Sequence, residues 1–166
     1  GIADVAALEA EQFADVGSSQ ITLAQWLGIA QRLNTLFRED PGLAGIVVTS
    51  GTDTLEELAY FLHLTVRDRR PVVVTGSMRN PSQVGYEGPA NLLASVRVAA
   101  DATAAGRGVL VVLNDEINGA RDVIAAPIMA IGGAMLRRSS YPVVAEPTRP
   151  SSSPSSSLSG WYASGM

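Results

Sequence analysis

Residues 47–62 read VVTSGTDTLEELAYFL and join a β-branched run to an acidic helix start. The run belongs to GIVVTS (45–50), which is too short for a helix and lacks polar alternation, so it predicts a strand buried on both faces. Thr54 and Glu57 have the spacing of a capping box, and apolar residues then recur at helical spacing. The sequence therefore places Thr52 and Asp53 at a hinge between a strand and a helix.

Alternation of strands and helices continues on both sides of this hinge. Residues 12–16 are predicted as a short strand, and Thr22 caps a helix that runs to about Phe37. Further strands are predicted at 71–77 and 108–115, with a helix over 90–100 between them. Such alternation implies right-handed crossovers and a mostly parallel sheet. We predict an α/β, Rossmann-like fold with helices on both faces of the sheet over residues 1–123, followed by an irregular Ser/Pro-rich tail over 124–166.

Composition narrows the class of protein. The 166 residues are 46% hydrophobic, which indicates one globular core. No apolar stretch approaches the roughly 18–20 residues of a membrane helix, and the first residues lack signal-peptide features, so we expect a soluble, cytoplasmic protein. A net charge of −4 argues against nucleic-acid binding, and RDRR at 67–70 is interpreted as a solvated helix end. There is no cysteine, and all twelve basic residues are arginine, so no lysine of this chain can take part in a mechanism.

Polar residues follow the predicted strands at the end where open α/β sheets bind ligands. They are Ser18, Thr52, Asp53, Ser77, Met78, Asn114 and Asp115. At the start of a helix, free backbone N–H groups and the helix dipole favour an anionic or polar ligand. Thr52 and Asp53 could instead be mere capping residues, which is the commoner role. Because Thr54 and Glu57 already account for the cap, a ligand-binding role is favoured.

The remaining candidate sites are weaker. His63 is the only histidine and is interpreted as a packing residue, since no serine or aspartate is placed to complete a triad. Asp115 and Glu116 could suggest a cation site, but solvation of a loop is favoured. Residues 85–88 lack the lysine of a phosphate loop. No metal and no cofactor is predicted.

Four stretches resemble the bacterial-type L-asparaginases and their glutaminase-asparaginase relatives. They are Gly17-Ser18-Ser19, GTDTLEE (51–57), GSMRNPSQVGYEGPANL (76–92) and GVLVVLNDEINGARDV (108–123). Their order and spacing agree with the family and cover part of its larger N-terminal domain, so an incomplete sheet is expected. The resemblance implies an amide hydrolase that releases ammonia from L-asparagine or L-glutamine, acting as a homo-oligomer.

The resemblance also implies roles for single residues. In the family, a threonine nucleophile attacks the side-chain amide, and a second threonine, matching Thr52, assists together with an aspartate, matching Asp53, and a lysine. The residue matching Ser18 holds the substrate α-carboxylate, and Asp53 also binds the α-amino group. The backbone around Ser77 would lie against the scissile amide.

The sequence departs from the family pattern at several positions. The Gly-Gly-Thr loop that carries the nucleophile would precede residue 1, and Ile124, Ala125 and Ala126 stand where the family has Thr-Lys-Thr. Glu87 stands where aspartate is usual. We therefore expect little turnover from this chain and hypothesise a truncated or frameshifted gene product, which reading the other frames past codon 123 would test.

Two alternatives stay open. One is a non-catalytic remnant that binds aspartate or asparagine, or associates with full-length subunits. The other is that a separate chain supplies the missing loop. Uncovered sheet edges would in either case favour association over a monomer.

Overall fold

The computed structural model describes residues 1–123, and the predicted tail over 124–166 lies outside them. The strands are β1 (Ile46–Thr49), β2 (Val72–Thr75), β3 (Val109–Leu113) and β4 (Glu116–Gly119). The α-helices are α1 (Leu23–Glu39), α2 (Leu55–Thr65) and α3 (Gly88–Ala100), and short 3₁₀ turns cover Ile2–Asp4, Ser18–Gln20, Thr52–Thr54 and Ala102–Ala104. Three predicted strands and three predicted helices are thus present, with small shifts at their ends.

The four strands form one sheet in the order β1-β2-β3-β4. The first three are parallel, with Ile46 opposite Val72 and Val72 opposite Val109, and β4 runs antiparallel to β3. The β3–β4 hairpin turns through Asn114 and Asp115, whose φ angles are 50° and 62°. Asparagine and aspartate tolerate this left-handed conformation better than most residues. The mostly parallel sheet is confirmed, and β4 is an addition that the sequence did not predict.

Helices cover both faces of the sheet, which confirms the predicted α/β fold. Side chains on one face of the strands, such as Val74 and Val111, pack with α1 and α2 in one core. Side chains on the other face, such as Val73 and Val112, pack with α3 in a second core. In β2 and β3 every residue is buried, as the unbroken apolar runs predict.

The edge strand β1 does not match its prediction. Residues 46–48 are half-buried and Thr49 is exposed, although burial on both faces was predicted. Within residues 1–123, β1 pairs only with β2, so its other edge has no strand partner.

The crossovers also differ from expectation. β1, β2 and β3 are adjacent and parallel, yet α2 and α3, which connect them in turn, lie on opposite faces. Both connections move across the sheet in the same direction, from β1 to β2 and from β2 to β3. When two such connections pass over opposite faces, one is right-handed and the other left-handed, so the prediction that all crossovers are right-handed is wrong. The preference for right-handed connections comes from strand twist carried into a tight connection. The long loop over 76–87 relaxes that restriction between β2 and α3.

Residues 12–16 form no strand, contrary to prediction. This segment contacts α1 through side chains instead of joining the sheet. A Cβ on Gly28 of α1 would lie 2.9 Å from the Phe13 ring, and Glu11 forms an ion pair with Arg32 at 2.9 Å. These contacts compete with strand pairing for the segment.

The RDRR run is only partly the solvated helix end that was predicted. Arg70 places its guanidinium 4.4 Å from the centre of the Phe37 ring and donates hydrogen bonds to the carbonyls of Phe37, Asp40 and Leu43. It therefore satisfies carbonyl groups at the end of α1, a position that favours a cation. None of the helices within residues 1–123 is long and apolar enough to cross a membrane.

Candidate functional site

Ser18 lies against the hinge that opens α2. Its side chain is almost fully buried, and its Oγ accepts a hydrogen bond from the backbone N–H of Asp53 at 3.3 Å. The Thr54 hydroxyl donates to the carbonyl of Ser18 at 3.1 Å. These two bonds join residues far apart in the sequence and place the Gly17-Ser18-Ser19 turn beside Thr52 and Asp53.

The predicted capping box at Thr54 is absent. α2 begins at Leu55 after the 3₁₀ turn, and the Thr54 side chain makes no capping bond. Its hydroxyl is engaged by Ser18 instead, because a tertiary acceptor competes with the local one. By contrast, Thr22 caps α1 as predicted, in a box with Gln25 at 2.9 and 3.3 Å.

Thr52 and Asp53 are left with uncommitted side chains. Neither the Thr52 hydroxyl nor the Asp53 carboxylate has a hydrogen-bond partner among residues 1–123, and Asp53 is exposed while Thr52 is half-buried. The backbone N–H of Asp53 is already used by Ser18. A hydroxyl and a carboxylate at this helix start are therefore available to a polar ligand.

Two glycines allow the loops around the hinge to approach one another. A Cβ on Gly51 would lie 2.6 Å from Oγ and 2.9 Å from Cβ of Ser18. A Cβ on Gly76, which follows β2, would lie 2.5 Å from the carbonyl oxygen of Ser50 and 3.4 Å from Cγ2 of Thr52. A larger residue at either position would force the neighbouring backbone apart. These two glycines therefore allow the Ser18 turn and the ends of β1 and β2 to lie close together.

The side chain of Ser77 is turned into its own loop. Its hydroxyl donates to the carbonyl of Arg79 at 2.5 Å and lies 3.3 Å from Oε1 of Glu87. The same Glu87 oxygen accepts from the backbone N–H groups of Met78 and Arg79. Burial alone would raise the pKa of Glu87, but these donors outweigh it, and the pKa lies below its ordinary value. Glu87 is therefore a carboxylate at neutral pH.

Asn91 joins the ends of β2 and β3. Its side chain is buried; Nδ2 donates to the carbonyl of Gly76 at 3.0 Å, and Oδ1 accepts from the N–H of Asn114 at 3.0 Å. The sequence prediction named neither Glu87 nor Asn91 as a site residue. An asparagine inside an otherwise apolar helical pattern, four residues after a carboxylate, was the available signal.

The predicted residues fall into two groups. Ser18 is bonded to the backbone of Asp53, next to Thr52, and an added Cβ on Gly76 would lie 3.4 Å from Cγ2 of Thr52. Asp115 lies exposed in the β3–β4 turn, and no cluster of three or more acidic or histidine side chains that could hold a metal occurs within 1–123.

His63 is a packing residue, as interpreted. Its Nδ1 accepts a hydrogen bond from the N–H of Val109 at 3.3 Å, and a Cβ on Gly108 would meet its ring at 2.4 Å. Burial, and then the charge of Arg121, lower the pKa of His63. The neutral imidazole is the form that can accept this bond.

Comparison with known proteins agrees with the resemblance. Residues 1–127 match the family model described as asparaginase, N-terminal. The chain is 50% identical to L-asparaginase 2 of Bacillus subtilis over 120 residues, which are 72% of this chain and 32% of that protein. It is 42% identical over 128 residues to a protein of Haemophilus influenzae named "Probable L-asparaginase periplasmic", covering 77% of this chain and 36% of that one.

A solved structure gives the same result. The crystal structure titled "Probable Cytoplasmic L-asparaginase from Campylobacter jejuni" matches with a TM-score of 0.71 and 41% identity, over 74% of this chain and 37% of that one. The chain belongs to the asparaginase family and corresponds to part of its N-terminal domain. It spans about a third of the length of these relatives. Since the two last names give different compartments, the cytoplasmic location stays a prediction.

Proposed function

We propose that residues 1–123 form the amino-acid-binding part of an L-asparaginase-type site. A complete site of this type would hydrolyse the side-chain amide of L-asparagine, so that water adds to the amide carbon and L-aspartate and ammonia leave. The observation that carries the proposal is the pair of uncommitted side chains, Thr52 and Asp53, at the start of α2, where the backbone N–H of Asp53 donates to Oγ of Ser18. L-Glutamine is a second candidate substrate of the same chemistry.

Each side chain has a role that fits its environment. The exposed Asp53 carboxylate would pair with the α-ammonium group of the substrate, because ion pairing supplies both attraction and direction. The hydroxyl of Ser18, beside the helix start, would hold the α-carboxylate. The Thr52 hydroxyl would face the amide carbon and assist attack there, with backbone groups of residues 76–78 next to the amide.

Turnover by this chain is proposed to be low. Thr52 has the high pKa of an ordinary hydroxyl and needs a neighbouring base or relay. The chain contains no lysine, and Ile124, Ala125 and Ala126 occupy the positions where the family has its relay lysine. This substitution favours a second candidate function, a non-catalytic chain that binds aspartate or asparagine or associates with full-length subunits.

Calorimetric titration with L-aspartate tests the binding part of the proposal. Asp53→Asn should weaken the affinity by about tenfold or more, since one charge-assisted contact is lost. Asp15→Asn is the matched control, because it also removes one exposed carboxylate but should leave the affinity unchanged. No binding by the wild type, or equal effects of the two substitutions, would contradict the proposed site.

An ammonia-release assay with L-asparagine separates the two candidate functions. We expect binding without turnover in the usual enzyme range of about 1–10³ s⁻¹. Turnover in that range, abolished by Thr52→Ala, would show that the site is catalytic without the lysine.

A further inference from the structure

Glu87 occupies the N-cap position of α3 but does not cap the helix. At this position a side-chain oxygen ordinarily accepts a hydrogen bond from an N–H in the first turn. The Glu87 side chain makes no such bond, and Pro89 in the first turn has no N–H to offer. The carboxylate is directed instead to the loop that follows β2.

Two backbone donors of that loop converge on one oxygen of Glu87. Oε1 accepts from the backbone N–H groups of Met78 and Arg79, and the hydroxyl of Ser77 lies 3.3 Å away. The side chain is only 13% exposed, so these bonds are largely shielded from water. A carboxylate with several donors holds a loop more strongly than a neutral acceptor does.

Asn91 fixes the other end of the same loop. It lies four residues after Glu87, and residues at this spacing lie on one side of a helix. Its Nδ2 donates to the carbonyl of Gly76 at 3.0 Å. The first turns of α3 therefore hold the backbone of residues 76–79 at both ends, through Asn91 at Gly76 and through Glu87 at residues 78 and 79.

The position of this loop bears directly on Thr52. Gly76 is so close to the hinge that an added Cβ would lie 3.4 Å from Cγ2 of Thr52 and 2.5 Å from the carbonyl oxygen of Ser50. Any displacement of Gly76 would therefore move the backbone that packs beside the Thr52 side chain, or open a gap there.

We infer that Glu87 and Asn91 are positioning residues that hold the 76–79 loop against Thr52 and so shape the ligand side of the site. This inference rests on the proposed function for its consequence in ligand binding. The placement of the loop itself does not depend on any ligand.

The competing explanation is that Glu87 serves only its ion pair with Arg79. That contact is 3.4 Å long and Arg79 is 34% exposed, so solvent weakens it. Three variants separate the explanations. Glu87→Ala removes all contacts, Glu87→Gln keeps an oxygen for the loop N–H groups but loses the charge, and Arg79→Ala removes only the ion pair and the bond to Gly85.

The first measurement is amide hydrogen exchange by NMR on the ligand-free 166-residue chain. In Glu87→Ala the amides of Met78 and Arg79 should exchange about tenfold faster or more, while amides of β2 and β3 keep their protection. Glu87→Gln and Arg79→Ala should retain most of the protection at Met78. Unchanged exchange in Glu87→Ala, or an equal loss in Arg79→Ala, would overturn the inference whether or not the chain binds a ligand.

The second measurement is titration of the same variants with L-aspartate. Glu87→Ala should bind about tenfold more weakly than the wild type, and the other two variants should bind within about twofold of it. If Glu87→Ala exchanges faster but binds L-aspartate as tightly as the wild type, the loop does not shape the ligand side of the site. A wild type that does not bind L-aspartate would overturn the proposed function instead, and the exchange data would then decide the placement of the loop alone.

Discussion

Substitution of Gly51 by alanine tests the contact between the Ser18 turn and the hinge. Gly51 and Gly17 are a matched pair, because both precede a 3₁₀ turn and both have extended backbone, with φ and ψ of −65° and 156° and of −62° and 148°. Alanine adopts this conformation without strain. The two sites differ in space: an added Cβ meets Ser18 at 2.6 and 2.9 Å at Gly51 and nothing within 4 Å at Gly17.

The magnitude follows from these distances. Carbon atoms pack best about 3.5–4.0 Å apart, so Ser18 must move by roughly 0.6 Å or more. Such overpacking costs about 1–3 kcal/mol. The Ser18–Asp53 hydrogen bond is already 3.3 Å long and would break, at a further cost of about 0.5–1.5 kcal/mol. Gly17→Ala should instead stabilise by about 0.4–1 kcal/mol, because it restricts the unfolded chain.

Urea unfolding of the two variants provides the measurement. Gly51→Ala should lower the free energy of unfolding by about 2–4 kcal/mol and abolish L-aspartate binding. Gly17→Ala should raise the free energy of unfolding by about 0.4–1 kcal/mol and keep L-aspartate binding. If Gly51→Ala is as stable as Gly17→Ala, the Ser18 turn does not contact the hinge, and the reasoning on the site is refuted.

Three further predictions concern stability. Asn91→Ala removes the side-chain partners of the Gly76 carbonyl and the Asn114 N–H, two part-buried bonds at the ends of β2 and β3, and should lower the free energy of unfolding by about 1–3 kcal/mol. A loss below about 0.5 kcal/mol by urea unfolding would argue against both bonds. Arg70→Ala removes charged donors from the end of α1 and should lower the free energy of unfolding by about 1.5–3 kcal/mol. Arg70→Lys should recover only part of the loss, because an ammonium group lacks the fork of donors that the guanidinium presents. The pKa of His63 is lowered in the folded state from its ordinary value of 6.5. As the pH falls below 6.5, the unfolded state therefore binds a proton before the folded state does, and the free energy of unfolding should decrease. Unfolding midpoints between pH 7.5 and 5.5 check this, since the fall should be smaller in His63→Phe; an equal fall in that variant would assign it to other groups.

The elements predicted well are those fixed by local pattern. The apolar runs at β2 and β3 are buried on both faces, and helical spacing identifies α1, α2 and α3. These features depend on which residues seek burial, and the sequence displays that directly. The short strand β4 has no such pattern and was not predicted; the left-handed φ angles at Asn114 and Asp115 make the turn that leads into it.

The features predicted wrongly depend on tertiary competition. Thr54 has the spacing of a capping residue, but the carbonyl of Ser18 takes its hydroxyl. Residues 12–16 have strand propensity but contact α1. The opposite hands of the two crossovers depend on how the 76–87 loop passes over the sheet, which no local pattern records.

The candidate site shows the same division. Ser18, Thr52 and Asp53 were predicted as site residues because polar residues at strand ends stand out in sequence and because the family resemblance marks them, and their roles stay a prediction. Glu87 and Asn91 were missed because their importance lies in which backbone groups they reach across the fold, and spacing alone does not give that.

The most direct test of the central claim is a ¹⁵N chemical-shift titration of the 166-residue chain with L-aspartate. We expect the amides of Ser18, Thr52, Asp53 and Gly76 to shift together with one saturation curve, while the amide of Asp115 in the β3–β4 turn does not move. Shifts that are absent at these four amides, or that occur only elsewhere, would contradict the claim that the start of α2 and the Ser18 turn form one amino-acid-binding site.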